Sequence, residues 1–212
     1  MPLRLLSSTI PRQAAFLLVG AAALLGACSD AGPAGTTALS IKLKDAPGEV
    51  QHAVVTIAGI NLMGGSGKVV LTSVPVTTDL LTLASSTADL VSGVDVPSGT
   101  YTELRFLISG ACLAVENDSG ESDIYATDGY DATPCGGAAT GVLQAPSFSQ
   151  SGLKVTMDAG ALTLAPGEKI LLVDFDVSQS FGQAAGQVGK WVMHPVITGG
   201  ELSAGAADSA AP

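Results

Sequence analysis

In ALSIKLK, residues 38–44, every second side chain is apolar: Leu39, Ile41 and Leu43 fall on one face of an extended chain, Ser40, Lys42 and Lys44 on the other. A period of two marks a half-buried strand, and it recurs along the chain. HAVVTIAGINLM (52–63) is β-branched and long enough to bend at Gly59. GGSGKVVLTS (64–73) supplies a glycine-rich hairpin turn and a strand, and VTTDLLTL (76–83) another. VPSGTYTELRFLI (96–108) is a strand led by a Pro-Ser-Gly turn. SGLKVTMDAG, ALTL, EKILLVDFDV (168–177) behind a Pro-Gly turn, and KWVMHPVITGG (190–200) complete the set. The Ser and Thr of ASSTADLVSG (84–93), with its closing glycine, predict one short helical turn. Eight to ten strands at this spacing predict an all-β fold, an antiparallel β-sandwich of Greek-key type over residues 38–202. Parallel neighbours would need crossover helices that the pattern lacks.

One stretch breaks the period. LLVGAAALLGACSD, residues 17–30, belongs to an apolar run that stops at Cys28, preceded by Arg4 and Arg12 and by no acidic residue. The uninterrupted part, residues 14–25, suits a signal-peptide core and falls short of the roughly 20 residues that span a bilayer. Leu25-Gly26-Ala27-Cys28 resembles the bacterial lipoprotein signal. That resemblance implies cleavage before Cys28 and fatty acylation there, so that the N-terminal lipid holds the protein on a membrane of the cell envelope. The same resemblance implies, from Ser29 rather than aspartate after the cysteine, sorting to the outer membrane, an indication that Asp30 one place later weakens. The organisation expected is a signal peptide over 1–27, a lipid-anchored tether over 28–37, the β-domain, and a disordered tail over 203–212 whose residues carry no bulky apolar side chain.

Cleavage would remove two cations and no acid, taking the formal charge from −10 to −12. A chain this acidic, with Arg105 its one remaining arginine, offers no basic patch for nucleic acid. Cleavage leaves all three cysteines in place, an odd number, and acylation of Cys28 would account for the one left over. With Cys28 assigned to lipid, Cys112 and Cys135 remain, and an extracytoplasmic compartment permits a disulfide between them. The bridge would contribute roughly 3 kcal/mol on the chain-entropy model. A metal at these cysteines would need ligands beyond the distant His52 and His194.

LKDAPGEV, DLL, VPSGTYTELRF, SGLKV, LLVDFDVSQS and a closing HPVI occur in that order over about residues 38–200. Together they resemble the bacterial domain-of-unknown-function family 4382, found largely in secreted lipoproteins. The resemblance implies a sandwich similar to transthyretin-like domains, with Gly99-Thr100-Tyr101 leading into a central strand. The segment from Cys112 to Cys135 is longer and more acidic than that family suggests, and the resemblance implies no activity.

Two acidic groups are candidates for chemistry. On a strand, Asp174 and Asp176 project together from the face opposite Val173, Phe175 and Val177, and two carboxylates about 7 Å apart call for a positive neighbour. Calcium is one answer, with Asp45, Glu49 and loop carbonyls as further ligands. Arg105, a lysine or plain solvation is another. The second group is the loop VENDSGESDIYATDGYDATP (115–134), whose Asp118, Asp123, Tyr125, Asp128 and Tyr130 could bind calcium, a sugar or a protein partner. Its spacing is not that of an EF-hand, and a solvated loop stapled by its disulfide explains the composition equally simply. Asn117-Asp118-Ser119 fits the glycosylation pattern, which bacterial lipoproteins rarely use.

Enzyme motifs do not emerge. MGGSGKVV has leucine at 62 where a phosphate-binding loop begins with glycine, and Val69 where it needs Ser or Thr. There is no G-x-S-x-G, and His52 and His194 sit in strand contexts that suit structural or exposed roles. The reading that follows is a lipid-anchored envelope module that binds or scaffolds without catalysing, its partner an envelope protein or a glycan and no cofactor beyond that candidate calcium. A calcium-stabilised carbohydrate-binding or adhesion domain is the first alternative, a carboxylate-based hydrolase the second.

Overall fold

The structure, a computed structural model, describes residues 35–46, 50–146, 148–183 and 190–202. Cys28, the signal and the tail from residue 203 lie outside these residues, as do Glu49 and the tether but for its last three residues. The first half of the domain holds β1 (Thr36–Ala46), β2 (His52–Gly64), β3 (Gly67–Thr72), β4 (Val76–Asp79), β5 (Ala88–Pro97) and β6 (Gly99–Glu116). Next come β7 (Ser122–Ala126), β8 (Gly141–Gln144), β9 (Leu153–Met157) and β10 (Leu162–Leu164). The last are β11 (Gly167–Asp176), β12 (Phe181–Gln183), β13 (Trp191–Met193) and β14 (Ile197–Glu201). Among the described residues helix is confined to single turns, including α1 (Phe148–Ser151) and α2 (Val177–Ser180).

Two layers form the expected all-β sandwich. One runs β9-β14-β11-β1-β5; in the other β2 lies between β6 and an edge made of β3 and β4. They are continuous, because β9 pairs with β6 through residues 153–155 and with β14 through Thr156 and Met157. The alternation of the sequence becomes the core: Leu39, Ile41 and Leu43 on β1 and Leu171, Val173 and Phe175 on β11 join Ile57, Ile60 and Leu62 on β2 and Leu104 and Phe106 on β6 in one cluster. Each such side chain contributes about 1.5–3 kcal/mol on burial. Gly99 leads into β6, and two residues on the buried Tyr101 turns its hydroxyl back to donate to the Pro97 carbonyl at 2.8 Å, which fixes the corner between β5 and β6.

Several expected boundaries shift, each for a local reason. The strand predicted over 76–83 stops at Asp79, whose carboxylate accepts from the Leu81 N–H at 3.2 Å and starts a 3₁₀ turn over Leu80–Leu83. The helical turn expected in 84–93 is therefore one segment early, and that stretch enters β5, with Leu90 and Val91 buried beside β1. The last strand is broken at His194-Pro195: proline has no N–H for a ladder, and Ser180 instead receives the His194 and Val196 N–H groups. The predicted acidic loop contains β7, which pairs with β6, and β8 lies where no strand was predicted. Four pairings among the described residues are parallel: β1 with β11, β9 with β14, β8 with β13 and β7 with β8. Crossover helices are unnecessary because the intervening chain passes through the other layer or around the edge.

Candidate functional site

Asp45, Asp174 and Asp176 do not assemble into a calcium site. In the parallel register Asp45 lies beside Phe175 and Lys44 beside Asp174. Asp45 therefore continues the buried face of Leu39, Ile41 and Leu43; it is 5% exposed and accepts the Val177 N–H at 3.1 Å. Asp174 is on the opposite face, 2.6 Å from the Lys44 ammonium. That lysine supplies the positive charge the acidic pair requires. Arg105 is engaged elsewhere, donating to Glu103 and to the Ser151 carbonyl. Asp176 caps α2, accepting from the Ser178 hydroxyl and the Gln179 N–H, and these donors hold its carboxyl below the ordinary range. Among the described residues no group of three or more His, Cys, Asp or Glu side chains is arranged to hold a metal ion.

The 115–134 segment is a folded flap. Cys112 and Cys135 form the disulfide, with Cα atoms 6.1 Å apart and both residues buried. They belong to a second small core, with Val54, Ala114, Ile124, Ala126 and Ala132, apart from the main core cluster. The Asn117 side-chain oxygen accepts from the Ser119 and Glu121 N–H groups, closing the tip, and its amide donates to Asp123. Tyr125 is buried with its ring 6.1 Å from that of Trp191. Tyr130 lies on Gly110, where a Cβ would come within 2.2 Å of the ring, and its hydroxyl pairs with that of Thr56 at 2.9 Å. Tyr125 is buried and Tyr130 half-buried, and each fills space that a glycine, Gly141 or Gly110, leaves open. Asp131 accepts from the Thr133 hydroxyl and N–H, which keep its carboxyl below the ordinary range. Asp118 and Asp128 are exposed.

A concave surface opens where β6 changes partners. β9 pairs with β6 at residues 104–106 and β7 at residues 112–116, so the sheet splits between them. The notch continues as a cleft of about 340 Å³. Ile108, Leu143, Phe148 and Met193 give it apolar walls, and Ser109, Thr127, Asp128 and Gln144 are its polar lining. Val142, 63% exposed, stands on its rim. Thr127 holds one lip, since its hydroxyl accepts the Ala111 N–H at 3.1 Å and donates to the Ala111 carbonyl at 3.3 Å. The Tyr130 N–H closes a turn onto the Thr127 carbonyl, with Gly129 at φ 70° as the turn requires, and Asp128 sits at its outer corner. Asp128 was legible as one acid among many. The rest of the lining comes from segments distant in sequence and carried no motif.

A family model, Domain of unknown function (DUF4382), matches residues 36–195, about three quarters of the chain, and the chain belongs to this family. No curated protein and no solved structure matches it.

Proposed function

We propose that this member of the DUF4382 family is a binding module of the bacterial cell envelope, anchored through lipid on Cys28 and presenting the cleft between β6 and β8 to its ligand. The observation that carries the reading is the cleft itself: a preformed hollow between hydrogen-bonded strands, with apolar walls and a few polar groups at its lip, the usual make-up of a recognition site. Among the described residues its lining holds one ionisable side chain, Asp128. Hydrolysis by paired carboxylates needs a second acid about 5–10 Å away across the substrate, so this lining favours binding over catalysis. The sequence Leu25-Gly26-Ala27-Cys28 supports the anchor, and Ser29 supports the outer membrane.

Anchoring is tested by growing producing cells with an alkynyl fatty acid. The wild-type chain should take the label and sediment with outer membranes, and Cys28→Ala should take none. A labelled Cys28→Ala chain, or an unlabelled wild type, would refute the anchor.

A further inference from the structure

We infer that the cleft takes a small organic amine, its apolar body between Phe148, Met193 and Ile108 and its ammonium group against the Asp128 carboxylate at the lip. This rests on the reading of the cleft as a binding site and specifies its ligand. The acids around the flap differ in what they do for the fold. Asp123 receives the Asn117 amide and Asp131 caps the turn that leads to Cys135. Asp128 has no hydrogen bond or ion pair to its carboxylate among the described residues, although its backbone is held firmly. The turn is fixed on one side by the paired hydrogen bonds of Thr127 to Ala111 and on the other by Tyr130 lying on Gly110. A carboxylate so placed costs a ligand little reorganisation to meet, which is where charged recognition gains most.

The sign of the charge selects the class. Among the described residues no lysine or arginine lines the cleft, and the chain as a whole carries −10, so an anionic ligand would meet repulsion both at the site and on approach. A neutral apolar ligand would fill the walls and leave Asp128 unused. An amine uses both. The polar groups beside Asp128, on Ser109, Thr127 and Gln144, leave the lip wet enough for an ammonium to keep part of its hydration.

The test titrates the ¹⁵N-labelled full chain with three probes of one skeleton: phenethylamine, 2-phenylethanol and 3-phenylpropionate. The amine should shift the amide signals of Ser109, Gly110, Thr127, Val142 and Gln144, and bind about tenfold or more tightly than the alcohol. The carboxylate should shift none of them. Asp128→Asn, an exposed turn position whose carboxylate has no hydrogen bond or ion pair among the described residues, should remove the preference of amine over alcohol while keeping alcohol binding. Equal binding of amine and alcohol at these residues would overturn the amine assignment and leave the binding cleft standing. Failure of all three probes to shift these signals would overturn both. Amine-induced shifts spread over the acidic surface and unchanged in Asp128→Asn would also overturn the assignment, as an adventitious charge effect only.

Discussion

Asp176 ends β11 and begins α2, and its carboxylate joins the two by accepting from Ser178 and from the Gln179 backbone. Those donors favour the charged form, so its carboxyl titrates below its usual 3.8 in the folded protein. A carboxyl lowered by folding stabilises fully above its unfolded value, and that stabilisation is lost as pH falls through the folded one. Asp176→Ala should therefore lower the melting temperature at pH 6, by an amount equivalent to at most about 1 kcal/mol for so exposed a cap. The gap from wild type should close towards pH 2; a pH-independent gap would mean that the carboxylate charge is not what the cap uses. Asp45 shows what was already legible at this scale. Leu39, Ile41 and Leu43 define the inward face, and the same alternation carried one step further turns Asp45 inward, away from Asp174. Which cation meets Asp174 was not legible, because Lys44 reaches it across a parallel register that no local pattern specifies.

At the scale of elements, the flap from β7 to Cys135 is held to β2 and β6 by the β6–β7 ladder, the disulfide and a small second core. Replacing Cys112 and Cys135 together by alanine should cost roughly 3 kcal/mol in a denaturant titration, the loss expected for a loop of this length. Gly110→Ala tests the same flap at its Tyr130 contact. The new methyl group would meet the Tyr130 ring, break the Thr56 hydrogen bond and destabilise by about 1–3 kcal/mol, with Tyr130 signals displaced in the NMR spectrum. A variant that keeps wild-type stability and an unmoved Tyr130 would show that this packing is not tight. Reading Cys28 as the lipid site left two cysteines, and that pointed to the disulfide before any coordinates. The strand inside the acidic segment did not show itself, since Asp123 and Ser122 mask the alternation of Ile124 and the buried faces on both sides of β7 leave no clean polar face. β8 is shorter still, four residues with one buried leucine, and its strand state is imposed by β7 and β13 rather than by its own composition.

For the whole molecule, strand pairing is uneven. β2 and β6 pair over their full common length, and β1 is flanked on both sides by β5 and β11, whereas β12 pairs only with β13 among the described residues. Amide exchange should accordingly be slowest at residues 54–57 of β2, 41–43 of β1 and 171–173 of β11, and fastest among the strands at Phe181–Gln183. Exchange of β12 as slow as that of β2 would show a cooperative unit larger than this pairing implies. The period of two, the turn residues between strands and the scarcity of helical pattern were enough for an all-β class, because side-chain alternation is a local property of an extended chain. The six ordered motifs were enough for the family. The mixed order of the strands, the ion pair at Asp174 and the cleft at the split in β6 came only with the assembled sheets. Each depends on which distant segments become neighbours, and that choice is made by the packing of the two layers as a unit, not by any stretch of residues on its own.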